Sequence, residues 1–268
     1  SCPTRDGYLC RFYTAHGITY GRGSLKNRNI MDIVTSLAIV AFAALIHASF
    51  QLSVSVLTLL SGHAIGSKKS RARVLHLTTS YTTGAAIMTL LLLSFVSLIF
   101  LHAFGTTAPL IVWALVCGLV LGIGIAVSLF YYRRGTKGTE LWIPRAFAKF
   151  LNDRSKATRY GAEAFSLGLT SVIAELVFII PTVCIAALVL IGLPPAWQLV
   201  GIAIYTVISL LGLFVVWSLI GSGQSLARIQ KWRNENMRFL QFSAGSALVV
   251  LGFFVYVSKI VATSSGNL

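Results

Sequence analysis

From Pro109 to Tyr132 the chain runs twenty-four residues without one acidic or basic side chain. A bilayer's hydrocarbon core is about 30 Å thick and takes roughly 20 predominantly apolar residues to cross as a helix. Six stretches meet that length: 33–59, 77–103, 109–132, 165–192, 197–220 and 239–262. Within them the charged residues are Glu175 and Lys259. Each stretch is apolar all round, which argues against a soluble helical bundle. None alternates with a period of two, which argues against a β-barrel. Composition agrees: 56% of the 268 residues are hydrophobic and 11% charged, against about 25% charged in soluble domains. The expected fold class is all-α, a polytopic integral membrane protein with six transmembrane helices in a lipid bilayer.

A net charge of +15 raises the question of nucleic acid, but the distribution of the charge answers it. Lys68, Lys69, Arg71 and Arg73 follow the first stretch. Arg133, Arg134, Lys137, Arg145, Lys149, Arg154, Lys156 and Arg159 follow the third, and Arg228, Lys231, Arg233 and Arg238 follow the fifth. These connections hold sixteen of the 22 basic residues, and the connections at 104–108 and 193–196 hold none. Basic loops face the cytoplasm. Loops 1, 3 and 5 are therefore expected to be cytoplasmic, with the start of the first helix and the C-terminus outside, in a plasma (bacterial inner) membrane. The charges serve as topology signals, so no nucleic-acid partner is expected.

Residues 1–30 go against this rule, because Arg5, Arg11, Arg22, Lys26 and Arg28 would lie outside. Met31 directly precedes the first apolar run. Three readings stand: translated upstream sequence before a start at Met31, an Arg-rich targeting segment, and an exterior tail closed by a Cys2–Cys10 disulfide. The first is preferred, which makes 1–30 a basic extension that is disordered or not native. Residues 31–132 form a first three-helix half, 133–161 a basic cytoplasmic linker, and 162–268 a second half. In the linker, Trp142, Ile143, Phe147, Phe150 and Leu151 alternate with Arg145, Lys149 and Arg154. That pattern suits an amphipathic helix on an anionic membrane surface, and a solvated loop equally well.

The halves have opposite orientation, the arrangement of inverted repeats in transporters. The first and fourth stretches can be aligned with His47 opposite Glu175, Phe50 opposite Phe178 and Ser53 opposite Pro181.

Polar residues inside the apolar runs are the candidate site. A carboxylate at mid-membrane costs about 3 kcal/mol on insertion scales, so Glu175 should face the protein interior, paired or protonated. Ser171 four residues before it and Thr182 seven after it share its face of a straight helix. Pro181 removes a backbone donor and frees the carbonyl near position 177, making it the expected kink and hinge. In the first stretch His47, Gln51, Ser55 and Thr58 lie on one face. If the first and fourth helices pack together, His47 and Glu175 reach similar depth and could share a proton. Each of these residues has a plain alternative as an interhelical hydrogen-bond partner. His63, in a Gly-bracketed turn, reads as a helix stop or a gate. Gly118, Gly122 and Gly124, with Gly245 and Gly252, read as packing positions. No P-loop, GxSxG or HExxH motif occurs, so neither an enzyme nor a cofactor is expected. No metal-ligand spacing occurs either, and any metal stays unassigned.

The layout resembles the lysine-exporter (LysE) superfamily, including its DsbD/CcdA thiol-relay and metal-exporter branches. The likeness spans about residues 31–260. It is carried by HASFQLSVSVLTLLSGHAIG (47–66), GLTSVIAELVFIIPTV (168–183) and ARIQKWRNENMRFLQFSAGSALVVLGFFVY (227–256). The thiol-relay branch has a cysteine in the first helix of each half. Here the fourth stretch has Cys184 and the first has none, which disfavours electron relay. The resemblance implies export of a small solute or metal cation, with Glu175 and His47 at the site. Three functions are carried forward. The first is a secondary exporter coupled to the proton gradient, with Gln51 and Thr182 orienting the ligand. The second is a non-transporting scaffold or assembly factor. The third is an intramembrane thiol protein using Cys117 and Cys184. Homo-oligomer formation is left open.

Overall fold

The computed structural model describes residues 32–51, 71–131, 158, 160–222 and 226–261. Ser55, Thr58, His63, the 1–30 extension and the amphipathic part of the linker lie outside these residues. The described residues are overwhelmingly helical and include no strand. In chain order the helices are α1 (Asp32–Gln51), α2 (Arg71–Phe104), α3 (Leu110–Ala126), α4 (Gly161–Ala174), α5 (Leu176–Ile191), α6 (Pro195–Ser209), α7 (Leu211–Gly221) and α8 (Leu226–Val255). Helices α3 and α8 run on into short π-helical ends, Val127–Tyr131 and Tyr256–Val261.

Four of these helices, α1, α2, α3 and α8, are long and apolar enough to cross a membrane. Two bent pairs pass the same test together: α4 with α5 at 78° and α6 with α7 at 49°. The chain thus carries four to six candidate spans. Phe95, Leu98, Ile111, Leu115, Leu199 and Phe253 all project outward. An apolar exterior this extensive is compatible with a membrane location.

The fourth and fifth apolar stretches are each broken, where sequence reading expects one helix apiece. In the fourth the break falls at Glu175 (φ −85°, ψ −6°), while Pro181 lies inside α5. The Glu175 N–H donates to the carbonyls of Ser171 (3.3 Å) and Val172 (3.2 Å). Its own carbonyl accepts from the N–H groups of Phe178 (2.8 Å) and Ile179 (3.1 Å). The helix tightens locally to three-residue turns, and this changes its direction. Pro181 leaves the α5 helix unbroken around it, so the expected hinge lies six residues downstream of the actual bend.

Two apolar clusters hold the bundle. Val40, Ala43 and Ala44 of α1 meet Phe178, Val183, Ala186 and Leu190 of α5, with Leu248 and Leu251 of α8. Leu77, Tyr81 and Ala85 of α2 meet Ala164 and Leu167 of α4 and Leu213 and Val216 of α7. Helices α2 and α4 cross backbone to backbone. A methyl group on Gly84 would collide with the Phe165 carbonyl, and one on Gly168 with the Tyr81 carbonyl. Helices α3 and α8 meet at Gly124, Gly245 and Gly252: Gly124 faces Leu248 and Val249, and Gly252 faces Leu121. Gly118 and Gly122, the GxxxG pair of the sequence, meet no neighbour among the described residues. The partner of Gly245 and Gly252 is a different face of α3.

Gly105 ends α2 in the left-handed region (φ 68°), and its N–H donates to the Leu101 carbonyl at 2.9 Å. That geometry favours glycine. Lys259 lies 5.7 Å from the centre of the Trp113 ring. A lysine near the end of an apolar helix is thus accommodated by an aromatic face.

Candidate functional site

Helix α1 lies antiparallel to α5, and three contacts fix their register. Leu37 and Leu190 both press on Gly201 of α6. His47 and Thr182 both reach the hydroxyl of Tyr205 on α6, at 3.1 Å from Nδ1 and 3.3 Å from Oγ1. Phe50 stacks on Phe178, with ring centroids 5.5 Å apart and planes 17° apart. As α1 is followed forward, α5 is followed backward.

This register separates two residues that sequence reading sets side by side. His47 is level with Thr182, and Glu175 lies seven residues further along, about 10 Å at 1.5 Å rise per residue. The ring of His47 bonds Tyr205 through Nδ1. Ser171 and Thr182, expected on one face with Glu175, fall on opposite sides of the 78° bend. Ser171 Oγ donates to the Gly168 carbonyl at 2.8 Å, within α4. Thr182 Oγ1 donates to the Ile179 carbonyl at 2.8 Å, within α5.

The five candidate site residues His47, Gln51, Ser171, Glu175 and Thr182 are all fully buried. Nε2 of His47 and both amide atoms of Gln51 have no hydrogen-bond partner among the described residues. A buried polar atom left unsatisfied costs about 1–3 kcal/mol. Three such atoms within one helical turn mark a place where a water, ion or polar ligand would be accommodated. Gln51 adjoins Phe50, and Phe178 is one turn from Glu175, so the stacked rings link these orphaned groups to the broken end of α5.

Tyr205 is the residue that sequence reading missed. It is the single tyrosine of the fifth stretch, fully buried, and a buried tyrosine hydroxyl requires a partner. That requirement was the one signal pointing to it. Thr206 and Ser209 beside it are occupied within α6, donating to the carbonyls of Ile202 (2.9 Å) and Thr206 (3.0 Å). Cys117 and Cys184 are free thiols, one buried and one half-buried. Among the described residues no group of three His, Cys, Asp or Glu side chains could hold a metal ion. The chain matches no protein-family profile, no curated protein and no solved structure.

Proposed function

We propose that this chain is a six-span membrane transporter built of two inverted three-helix halves, exporting a small solute or cation under the proton gradient. The observation that carries the reading is the set of buried polar atoms on α1 that have no hydrogen-bond partner among the described residues, facing a helix broken at a buried carboxylate. Polar groups and broken helices inside a membrane characterise transport sites in inverted-repeat transporters. In this reading Glu175 takes the proton or cation, His47 exchanges a proton, and Gln51 and Thr182 orient the ligand. The Phe50–Phe178 stack supports the inverted repeat. These two residues are equivalent in the alignment of the halves, and residues on a twofold axis must touch their own equivalents. The features resembling the LysE superfamily are consistent with this arrangement.

The test is flux in proteoliposomes over a panel of amino acids, organic cations and divalent metals, with and without an imposed pH gradient. Glu175→Gln should insert and fold normally and lose coupled transport. Unchanged transport would remove Glu175 from the mechanism.

A scaffold is the second reading, favoured by Tyr205, which ties α1, α5 and α6 together through two interhelical bonds. Such bonds also hold purely structural bundles. A reconstituted chain that binds and moves nothing on the panel would select it.

A further inference from the structure

We infer that Thr182 and Tyr205 are positioning residues that fix the tautomer of His47, making Nε2 its proton-exchanging atom. The argument is a count of protons. The Ile179 carbonyl can only accept, so its 2.8 Å contact with Thr182 Oγ1 uses the one hydroxyl proton of Thr182. In the 3.3 Å contact between Thr182 and Tyr205, Tyr205 is therefore the donor. That uses the one proton of Tyr205, so its oxygen can only accept from the ring of His47, 3.1 Å away. Nδ1 of His47 carries a proton as a consequence. The tautomer of a histidine is set by the bond its other nitrogen makes, and here the neutral ring must present a bare lone pair at Nε2.

Nε2 is the ring atom that has no partner among the described residues. One turn further along α1 lies the Gln51 amide, an unpartnered acceptor and donor among those residues. The chain Ile179–Thr182–Tyr205–His47 thus ends in an acceptor beside an amide. It is built to take a hydrogen bond from an O–H or N–H group, or to take up a proton, at Nε2 alone. Only the nature of that ligand rests on the transport reading. The tautomer stands on the hydrogen bonds.

The experiment is nitrogen NMR of the full chain, labelled with 15N-histidine, in lipid nanodiscs. The His47 signals among the 5 histidines are assigned by their loss in His47→Asn. A protonated Nδ1 and a bare Nε2 are expected. In Thr182→Val the Tyr205 hydroxyl loses its acceptor and turns to donate to Nδ1, so the proton should move to Nε2. Thr182→Ser should restore the parent pattern. Tyr205→Phe provides a second probe and should give a mixture of tautomers. A parent ring protonated at Nε2, or a Thr182→Val spectrum identical to the parent, would overturn the inference. A chain with the expected tautomer that moves no solute loses the transport reading and keeps this one. A transporting chain with the opposite tautomer does the reverse.

Discussion

Gln51 buries an amide whose oxygen and nitrogen both lack partners among the described residues. Replacing it with leucine removes two desolvated polar groups and keeps much of the volume. Gln51→Leu should therefore raise stability by about 1–3 kcal/mol, measured by thermal unfolding in detergent, while abolishing flux. A destabilised variant would mean that the amide is hydrogen-bonded after all. Phe50→Ala, Phe178→Ala and the double variant should show a coupling of about 0.5–1.5 kcal/mol beyond additivity, measured by the same unfolding. At this scale the sequence was informative wherever polarity interrupts an apolar run: His47, Gln51, Glu175 and Thr182 stand out for that reason. Tyr205 does not, because an aromatic residue is at home in an apolar helix and only its hydroxyl needs a partner.

Among the elements, the closest helix contacts between described residues are made by glycines outside any GxxxG pair. Gly84 and Gly168 let α2 and α4 cross with backbone against backbone. Gly118 and Gly122 have ideal GxxxG spacing and meet no neighbour among the described residues. Gly168→Leu should therefore prevent accumulation of folded protein, since the added side chain meets the Tyr81 carbonyl and cannot be relieved by a rotamer change. Gly118→Leu should be within about 0.5 kcal/mol of the parent. Membrane yield and monodispersity in detergent distinguish the two. The bend at Glu175 was equally hidden. Proline announces a kink in sequence, whereas a three-residue turn arises from packing on both sides of the break. That these runs are helical was legible, because an apolar run of bilayer length satisfies its backbone within a helix. Their limits were not, since α8 begins at Leu226, thirteen residues before the apolar stretch that marks it. Which face of each helix turns inward depends on partners far away in the chain.

For the whole molecule, the loop charges predict an orientation that single cysteines can read. In a chain with its native cysteines replaced, Thr106→Cys in the α2–α3 turn should react with an impermeant maleimide in intact cells. Ser222→Cys, beyond α7, should react only after the membrane is opened. The reverse pattern would invert the topology. The α3–α8 seam has a further consequence for how this protein is made. Gly124 must wait for Gly245, some 120 residues later in the chain. At roughly 5–20 residues per second that interval lasts about 6–24 s. Throughout it the face of α3 that packs on α8 is uncovered, open to the cell's proteases and chaperones. A chain stopped before Gly245 never ends that exposure, and it should be cleared from cells even though every candidate site residue is present.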